Sequence, residues 1–323
     1  MREKTVITYL QEEGFRRQMH RQAEPYLRRC CRSGSFTSFD GTWIFYCAYV
    51  PELPKASIVI SHGFTEFAEK YNEMVFYFLQ AGYAVFLPEH RGHGRSQRVL
   101  RNMDKVYVKS FAHYVRDLHI FVHKIVKPYQ NEIMLFAHSM GGAIGALYLQ
   151  RYPDDFKKAV LSSPMIQMNV KGMPYDAAML TAYICRALGF GRAYAAGQHG
   201  FRAKPRFERI SWLALERYLY AHEKRLKNWR CQTSGASYGW VCAAREASRY
   251  VQDNGNIARI HIPVLVFAAG REHMVNTDEI CRFAGKLKNA RLVWMLDAWH
   301  EIFNGKEQMR MQFYQELFAF LQQ

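Results

Sequence analysis

Residues 133–142 read IMLFAHSMGG, an apolar run that leads directly into a turn of small residues. The run is typical of a buried parallel strand, and residues 143–149, which follow the turn, have helical character. Ala137 and Gly141 are small enough to let the neighbouring backbones come close. A serine held between them at positive φ projects its hydroxyl out of the turn. The stretch therefore predicts a strand, a sharp turn with Ser139 at its tip and a helix; the alternative is a small-residue turn that carries an incidental serine.

Short apolar runs of the same kind recur along the chain and alternate with helical patterns. The apolar runs are residues 57–61, 83–88, 133–137, 158–162, 263–268 and 291–296, and the helical patterns are residues 70–81, 108–126, 141–151, 277–287 and 306–321. This alternation predicts an α/β fold with a mainly parallel sheet flanked by helices. Residues 35–38 and 42–50 alternate in polarity around Asp40-Gly41, which predicts an antiparallel hairpin at one edge of the sheet.

The strand–helix alternation is interrupted once, which divides the chain into three parts. Between residues 165 and 255, helical stretches rich in aromatic residues and arginine replace the apolar runs. We interpret this segment as a helical cap inserted into the α/β core, which comprises residues 35–164 and 256–323. Residues 1–34 predict a basic helical extension ahead of the core.

The chain of 323 residues carries a net charge of +16, and most of that charge lies outside the predicted core. Residues 186–230 hold eleven Lys and Arg against three Asp and Glu, and residues 1–33 hold eight against four. Such a balance indicates a polyanionic partner, either nucleic acid or an anionic lipid surface. Basic residues interleaved with aromatic ones are also typical of single-strand nucleic-acid grooves, but no nucleic-acid-binding motif accompanies them. We therefore favour an anionic membrane surface, met by the cap and the N-terminal helix, over nucleic acid and over a simply solvated basic face.

Several function classes are disfavoured by what the sequence lacks. The apolar stretch at residues 5–10 is too short for a secretory signal, and residues 133–150 contain a glycine-rich turn that does not suit a membrane span. The seven cysteines form no C-x-x-C pair, which indicates free thiols and a cytoplasmic protein. With the basic cap and N-terminal helix, we expect peripheral contact at the inner face of the membrane. His119 and His123 lie four residues apart on a predicted helix, but no third ligand follows them at a metal-site spacing, so we expect no metal and no cofactor.

A reactive serine needs a base and an acid that orients the base, and both are expected after the last strands. His273 and His300 are the two histidines that follow the run at 263–268, and His300 comes directly after the run at 291–296. Glu272 leaves the end of the preceding strand, where a turn would present its carboxylate to His300. Asp278, at the start of the next helix, is explained by capping, and Asp297 is too close in sequence to His300 to orient it. Backbone N–H groups of Phe64 and Met140 are the expected oxyanion donors, because one follows the run at 57–61 and the other follows Ser139.

Four segments carry a resemblance to a known family. They are residues 62–66 (HGFTE), 90–96 (HRGHGRS), 138–142 (HSMGG) and 298–301 (AWHE). With them the chain resembles α/β-hydrolases of the monoacylglycerol lipase and lysophospholipase L2 group from about residue 35 onward, and residues 235–241 (GASYGWV) are similar to the lysophospholipase L2 branch. Glu89 and Glu272 stand where Asp is usual in the group, and Ala137 stands where Gly is usual. The L2 branch is similar to this chain in using Glu at the position of Glu272.

The resemblance implies an α/β-hydrolase fold and a catalytic set without metal or organic cofactor. It implies Ser139 as nucleophile, His300 as base, Glu272 as acid, and Phe64 and Met140 as oxyanion donors. The implied activity is hydrolysis of the ester of a single-acyl lipid, a lysophospholipid or monoacylglycerol, through an acyl-enzyme. The alternatives are a short-chain carboxylesterase, a serine aminopeptidase, which should place carboxylates in the cap, and a non-catalytic protein that binds lipid or nucleic acid. Glu89 and Arg91, which flank the second motif, are expected to be structural.

Overall fold

An eight-stranded, mostly parallel sheet forms the centre of the molecule. The computed structural model describes residues 7–130, 132–170, 172–204 and 214–323. The strands of the described residues, which form this sheet and a separate pair, are β1 (Cys31–Thr37), β2 (Trp43–Tyr49), β3 (Ala56–Ser61), β4 (Tyr83–Pro88), β5 (Lys105–Val106), β6 (Ile133–His138), β7 (Lys158–Ser162), β8 (Gly235–Ala236), β9 (Val264–Ala269) and β10 (Ala290–Met295). The order across the sheet is β1-β2-β4-β3-β6-β7-β9-β10, and β5 pairs with β8 separately. Within the eight-stranded sheet, antiparallel pairing is confined to β1 with β2 and β2 with β4, so the predicted α/β architecture is confirmed.

Helices cover both faces of this sheet. The α-helices of the described residues are α1 (Phe15–Gln18), α2 (Glu24–Cys30), α3 (Asn72–Gln80), α4 (Phe111–Phe121), α5 (Met140–Arg151), α6 (Tyr175–Ala187), α7 (Leu215–Lys227), α8 (Tyr238–Val251), α9 (Asn254–Ile257), α10 (Thr277–Lys286) and α11 (Glu307–Gln322). One apolar cluster joins the sheet to α4, α5, α8 and α10, and a second joins it to α2, α3 and α11. Strands β3, β4, β6 and β9 are buried along their whole length, because both of their faces are covered. Their continuous apolar runs follow from that position.

The N-terminal hairpin begins earlier than the sequence predicts. Strand β1 starts at Cys31 rather than at residue 35, and the helical extension ends at Cys30. The prediction of the strand's start was wrong because β1 is an edge strand whose side chains are mostly half-buried or exposed, so its first residues show no apolar alternation. A Cβ at Gly34 would lie 2.7 Å from the hydroxyl oxygen of Tyr46, so a larger residue there would require the Tyr46 side chain to move.

Helix α8 lies within the predicted cap but packs in the first apolar cluster of the core, and Tyr220 of α7 lies in the second cluster. Trp240, Ala243 and Ala247 of α8 lie in the same apolar cluster as the sheet and α5. The cap boundaries at residues 165 and 255 stay a prediction, and α6 and α7 are the long helices within them that lie outside that cluster. Among the described helices, none combines the length and apolar character needed to cross a bilayer.

The N-terminal extension is held to α7 by ion pairs. The Arg217 guanidinium contacts Glu12 at 2.6 Å and Glu73 at 2.8 Å, and Lys224 Nζ lies 2.6 Å from Glu24 Oε1. Arg217 is almost fully buried, so its charge is compensated by these carboxylates rather than by water. Part of the positive charge counted in the cap is therefore neutralised inside the protein.

Candidate active site

Ser139 lies at the tip of the turn between β6 and α5. Its φ of 54° and ψ of −118° are unusual for a non-glycine residue, and its exposed fraction is 9%. Gly141 makes the turn sterically feasible, since a Cβ there would lie 2.0 Å from the Ser61 carbonyl oxygen. Gly145 makes room for the methyl group of Ala137, because a Cβ at Gly145 would lie 3.0 Å from it. Ala137, which stands where glycine is usual, is thus accommodated by Gly145, one helical turn after Gly141 in α5.

Ser139, His300 and Glu272 form one chain of hydrogen bonds. The Ser139 hydroxyl lies 2.8 Å from His300 Nε2, and His300 Nδ1 lies 2.7 Å from Glu272 Oε2. The other carboxylate oxygen, Glu272 Oε1, accepts the N–H groups of His273 and Met274, both at 2.8 Å. A carboxylate can only accept, so Nδ1 carries the proton and Nε2 is left to accept from the serine. The three residues selected from the sequence meet in the geometry of a nucleophile, a base and an orienting acid.

The environment of Glu272 favours its charged form. Burial raises its pKa, but the nearby His300 and the backbone N–H groups outweigh this effect, so the pKa of Glu272 lies below its ordinary value. The carboxylate is 1% exposed and is therefore positioned by these bonds rather than by solvent. A fixed, ionised acid is what an imidazole needs to hold one tautomer and to accept a proton.

The other carboxylates weighed from the sequence lie elsewhere. Asp297 pairs with Arg271 at 2.6 Å on the surface. Asp278 lies in the first turn of α10, but Asn276 caps that helix by accepting the N–H of Glu279. Asp278 lies at the start of this helix, as predicted. The prediction that it caps the helix was wrong, because the cap is Asn276, two residues earlier.

Phe64 and Met140 present backbone N–H groups near the serine turn. Met140 begins α5, whose N-terminus adds positive partial charge. Phe64 follows Gly63 in a tight loop, in which the Gly63 N–H donates to Glu66 Oε2 at 2.6 Å and Thr65 adopts a φ of 60°. In the described part of the chain, neither the Phe64 nor the Met140 N–H donates to a protein acceptor.

A buried charge cluster connects the Phe64 loop to the His300 loop. Lys70 Nζ lies 2.6 Å from Glu66 Oε1 and 2.7 Å from Glu301 Oε1. Burial raises the pKa of Glu66, but the effect of Lys70 in the opposite direction is larger. The pKa therefore lies below its ordinary value, and the carboxylate remains ionised. Sequence reasoning assigned no role to Lys70; its spacing of four residues from Glu66 was the available signal.

The serine and histidine open into a cavity of about 490 Å³ between the core and the cap. Among the described residues, its charged lining comprises five cations and two carboxylates: Lys70, Arg202, Lys204, Arg217, Arg225, Glu66 and Glu301. Of the cap aromatics, Phe201 and Tyr218 line the cavity, whereas Phe190 and Trp229 are exposed and Tyr220 is buried beside Glu24. Phe207 and Trp212 lie outside the described residues.

The family assignment agrees with this geometry. A family model described as "Serine aminopeptidase, S33" matches residues 52–307. The chain belongs to this family of α/β-hydrolases. The match covers the elements that carry Ser139, Glu272 and His300, and it also spans the cap.

Relatives of this hydrolase have lipase and lysophospholipase names. The probable lysophospholipase L2 of Haemophilus influenzae is 28% identical over 255 residues, which are 78% of this chain and 79% of that protein. The monoglyceride lipase of Rattus norvegicus is 33% identical over 153 residues, 47% of this chain and 48% of the relative. The crystal structure of Paleococcus ferrophilus monoacylglycerol lipase superposes with a TM-score of 0.66 at 18% identity, covering 86% of this chain and 98% of the other. At that identity the superposition shows the shared fold alone.

The second motif of the hydrolase is held away from the cavity. Glu89 is fully buried and accepts the Ala68 N–H at 2.9 Å, while Arg91 contacts Asp117 at 2.6 Å and Asp40 at 2.7 Å. Neither side chain lines the cavity. These contacts fix the loop that follows β4, which agrees with the structural role predicted for Glu89 and Arg91 from the sequence.

The histidine pair on the α4 face acquires a third group that the sequence did not reveal. Asp155 Oδ2 lies 3.4 Å from His119 Nδ1 and 3.1 Å from His123 Nε2. No third ligand follows the pair at a metal-site spacing, but the fold brings Asp155 to it from 32 residues away. Lys127 Nζ, however, lies 2.6 Å from Asp155 Oδ1 and already supplies a cation there, so we interpret the group as an ion-pair cluster.

Proposed function

We propose that this hydrolase cleaves the carboxylic ester of single-acyl lipids, lysophospholipids or monoacylglycerols, through an acyl-enzyme. The observation that carries the proposal is the hydrogen-bonded chain from Ser139 through His300 to Glu272 at a cavity of about 490 Å³. The names of the relatives support the same substrate class. Ser139, His300 and Glu272 are the proposed catalytic residues, and the N–H groups of Phe64 and Met140 are the proposed oxyanion donors.

In the proposed mechanism, His300 Nε2 takes the hydroxyl proton as Ser139 Oγ attacks the ester carbonyl carbon. The N–H groups of Phe64 and Met140 stabilise the negative charge that develops on the carbonyl oxygen. The C–O bond to the glycerol breaks as His300 returns the proton to the leaving oxygen. Water, deprotonated by His300, then attacks the acyl-serine and releases the fatty acid, which restores the serine hydroxyl. Glu272 holds the imidazole throughout and stabilises its positive charge.

The cavity lining favours this activity over an aminopeptidase. Recognition of a free amine requires a carboxylate, and the described lining offers Glu66 and Glu301. Both bind Lys70, which offsets one of their two negative charges, and Arg202, Lys204 and Arg225 make the described lining cationic overall. The lining also provides Phe64, Phe201 and Met274 as apolar surface for an acyl chain.

The substrate class is tested by a series of p-nitrophenyl esters from acetate to palmitate, measured beside a monoacylglycerol, a lysophospholipid and an aminoacyl p-nitroanilide. Because burial of each methylene contributes about 0.8 kcal/mol, we expect kcat/KM to rise roughly tenfold for every two added methylenes until the cavity is filled. Strict preference for acetate would contradict the lipid assignment in favour of a short-chain esterase. Faster cleavage of the anilide than of any ester would indicate an aminopeptidase.

We also propose peripheral contact with an anionic membrane at its cytoplasmic face. Helix α6 turns an apolar stripe outward: Leu180, Ile184 and Leu188, just after the helix, are 62%, 50% and 68% exposed. The extension adds exposed arginines, namely Arg17, Arg21, Arg28 and Arg29. Apolar and cationic groups together are what an anionic lipid surface binds. All seven cysteines are free thiols, which suits a reducing compartment.

This contact is tested by sedimentation with phosphatidylglycerol or phosphatidylcholine liposomes. We expect binding to the anionic vesicles that weakens as salt is raised, and a loss of at least several-fold in the double variant Leu180→Ser, Ile184→Ser. Leu53→Ser, a change at an exposed leucine on the loop between β2 and β3, is the matched control. Binding that is insensitive to salt, or equal in the double variant and the control, would contradict the proposal.

A further inference from the structure

Arg225 stands apart from the other buried cations of the cavity wall. Lys70 is compensated by Glu66 and Glu301, and Arg217 is compensated by Glu73 and Glu12. Arg225, near the end of α7, has no carboxylate within 4.0 Å among the described residues. It is half-buried and lines the same cavity as Ser139.

The surroundings of Arg225 fix its guanidinium while leaving donors available. Its Nη2 donates to the Thr65 carbonyl oxygen at 2.8 Å, and the guanidinium carbon lies 5.4 Å from the centre of the Phe67 ring. A guanidinium has five N–H donors in a planar fork, and this one bond to Thr65 uses a single one of them. Burial lowers the pKa of Arg225, and although the carboxylates of Glu301 and Glu66 act in the opposite direction, they do not reverse the effect. An anion entering the cavity could accept from the remaining donors in place of the water that burial excludes.

The position of Arg225 relates the anion to the reacting ester. Thr65 directly follows Phe64, whose N–H is a proposed oxyanion donor, so the guanidinium contacts the loop on which the ester carbonyl would be bound. In a lysophospholipid the phosphate is separated from that ester by the glycerol alone. Arg202 and Lys204 line the same cavity and add positive potential. The planar fork of arginine matches two phosphate oxygens at once, which an ammonium group cannot do.

We propose that Arg225 binds the phosphate of the substrate's head group and so makes the hydrolase prefer a lysophospholipid to the monoacylglycerol with the same acyl chain. This inference rests on the proposed function and assigns a specificity-determining residue to it. Arg225 also positions the Phe64 loop through Thr65, and that second role affects both substrates alike. The two roles are therefore separable by comparing substrates.

The test measures kcat/KM of the full chain for a lysophosphatidylglycerol and a monoacylglycerol with identical acyl chains. With Arg225→Met we expect a loss of a few-fold for the monoacylglycerol and a further loss of roughly 10- to 100-fold for the lysophospholipid, the range of a hydrogen bond to a charged group. Arg225→Lys should recover part of the second loss because it restores the charge without the fork. Arg230→Met, at an exposed cap arginine that does not line this cavity, is the matched control and should preserve the substrate ratio.

A binding measurement separates this inference from the proposed function. In Ser139→Ala protein, which binds without turnover, we expect glycerol 3-phosphate to displace the lysophospholipid, and both ligands to lose at least tenfold in affinity when Arg225→Met is added. Equal losses for the two substrates, or unchanged affinity of the phosphate ligands, would overturn the assignment of Arg225 and leave the ester hydrolase standing. Phosphate ligands that bind through Arg225 while the wild-type protein cleaves neither ester would contradict the proposed function alone.

Discussion

The Ser139→Ala variant is expected to lose ester hydrolysis by a factor between about ten thousand and one million, and to lose all labelling by a fluorophosphonate probe. The size of the effect follows from the role of Oγ, because without it no acyl-enzyme forms and His300 has no hydroxyl to deprotonate. The probe forms a covalent bond to an activated serine, so stoichiometric labelling of the wild-type protein reports both the nucleophile and its base. Turnover and labelling are measured on the same protein preparations.

Ser163→Ala is the matched control for this experiment. Ser163 is also buried and also has positive φ, but its N–H donates to the Phe267 carbonyl and its hydroxyl makes no bond to His300. We expect this variant to retain labelling. An unlabelled wild-type protein would support the alternative of a hydrolase fold that binds lipid without catalysis. Full labelling of Ser139→Ala would place the nucleophile at another residue.

The elements of the fold that were predictable are those whose signals are local. The strand–turn–helix around Ser139 lies in a single stretch of residues, and its steric requirement is met by Gly141 next to it. His300 could be selected because it follows the last strand, and Glu272 because it leaves the preceding one. The chain direction of a parallel sheet brings such strand ends to one edge, so sequence order alone predicted that these residues meet.

What escaped prediction depends on partners that are distant in sequence. Lys70 and Glu301 are separated by 231 positions, and no spacing rule connects them. The charge count of the cap likewise could not show that Arg217 and Lys224 are compensated by the N-terminal extension. A net charge gives the excess of cations over anions in a segment, whereas binding of an anion depends on which cations lack a nearby carboxylate. The interpretation of the basic charge as a lipid-binding feature therefore rests on fewer residues, chiefly Arg225 in the cavity and Arg17, Arg21 and Arg29 of the extension, since Arg28 pairs with Glu24.

The Glu272→Gln variant is expected to lower kcat/KM by about ten-thousandfold, with little change in the folded structure. The reason lies in the two oxygens of the carboxylate. Oε1 accepts the N–H groups of His273 and Met274, so a glutamine must place its carbonyl oxygen there and turn its amide NH₂ toward His300. His300 Nδ1 must then accept, which moves the imidazole proton to Nε2. In that tautomer Nε2 cannot take the proton of Ser139, and the base is lost although every side chain stays in place.

Two controls and a pH measurement make the assignment of Glu272 specific. Glu272→Asp keeps the charge on a shorter side chain and should retain more activity than Glu272→Gln, and Asp278→Asn should leave turnover near the wild-type value. The folded-state pKa of Glu272 is depressed, so its ionisation stabilises the fold above the unfolded-state value of about 4.3, and this contribution is lost as the pH falls through the folded-state pKa. Chemical unfolding should therefore show that acidification destabilises the wild-type protein more than Glu272→Gln, which has no proton to bind at that position. If Glu272→Gln kept more than about a tenth of the activity while Asp278→Asn lost most of it, the orienting acid would be Asp278, because only the residue that fixes the imidazole tautomer carries a loss of this size.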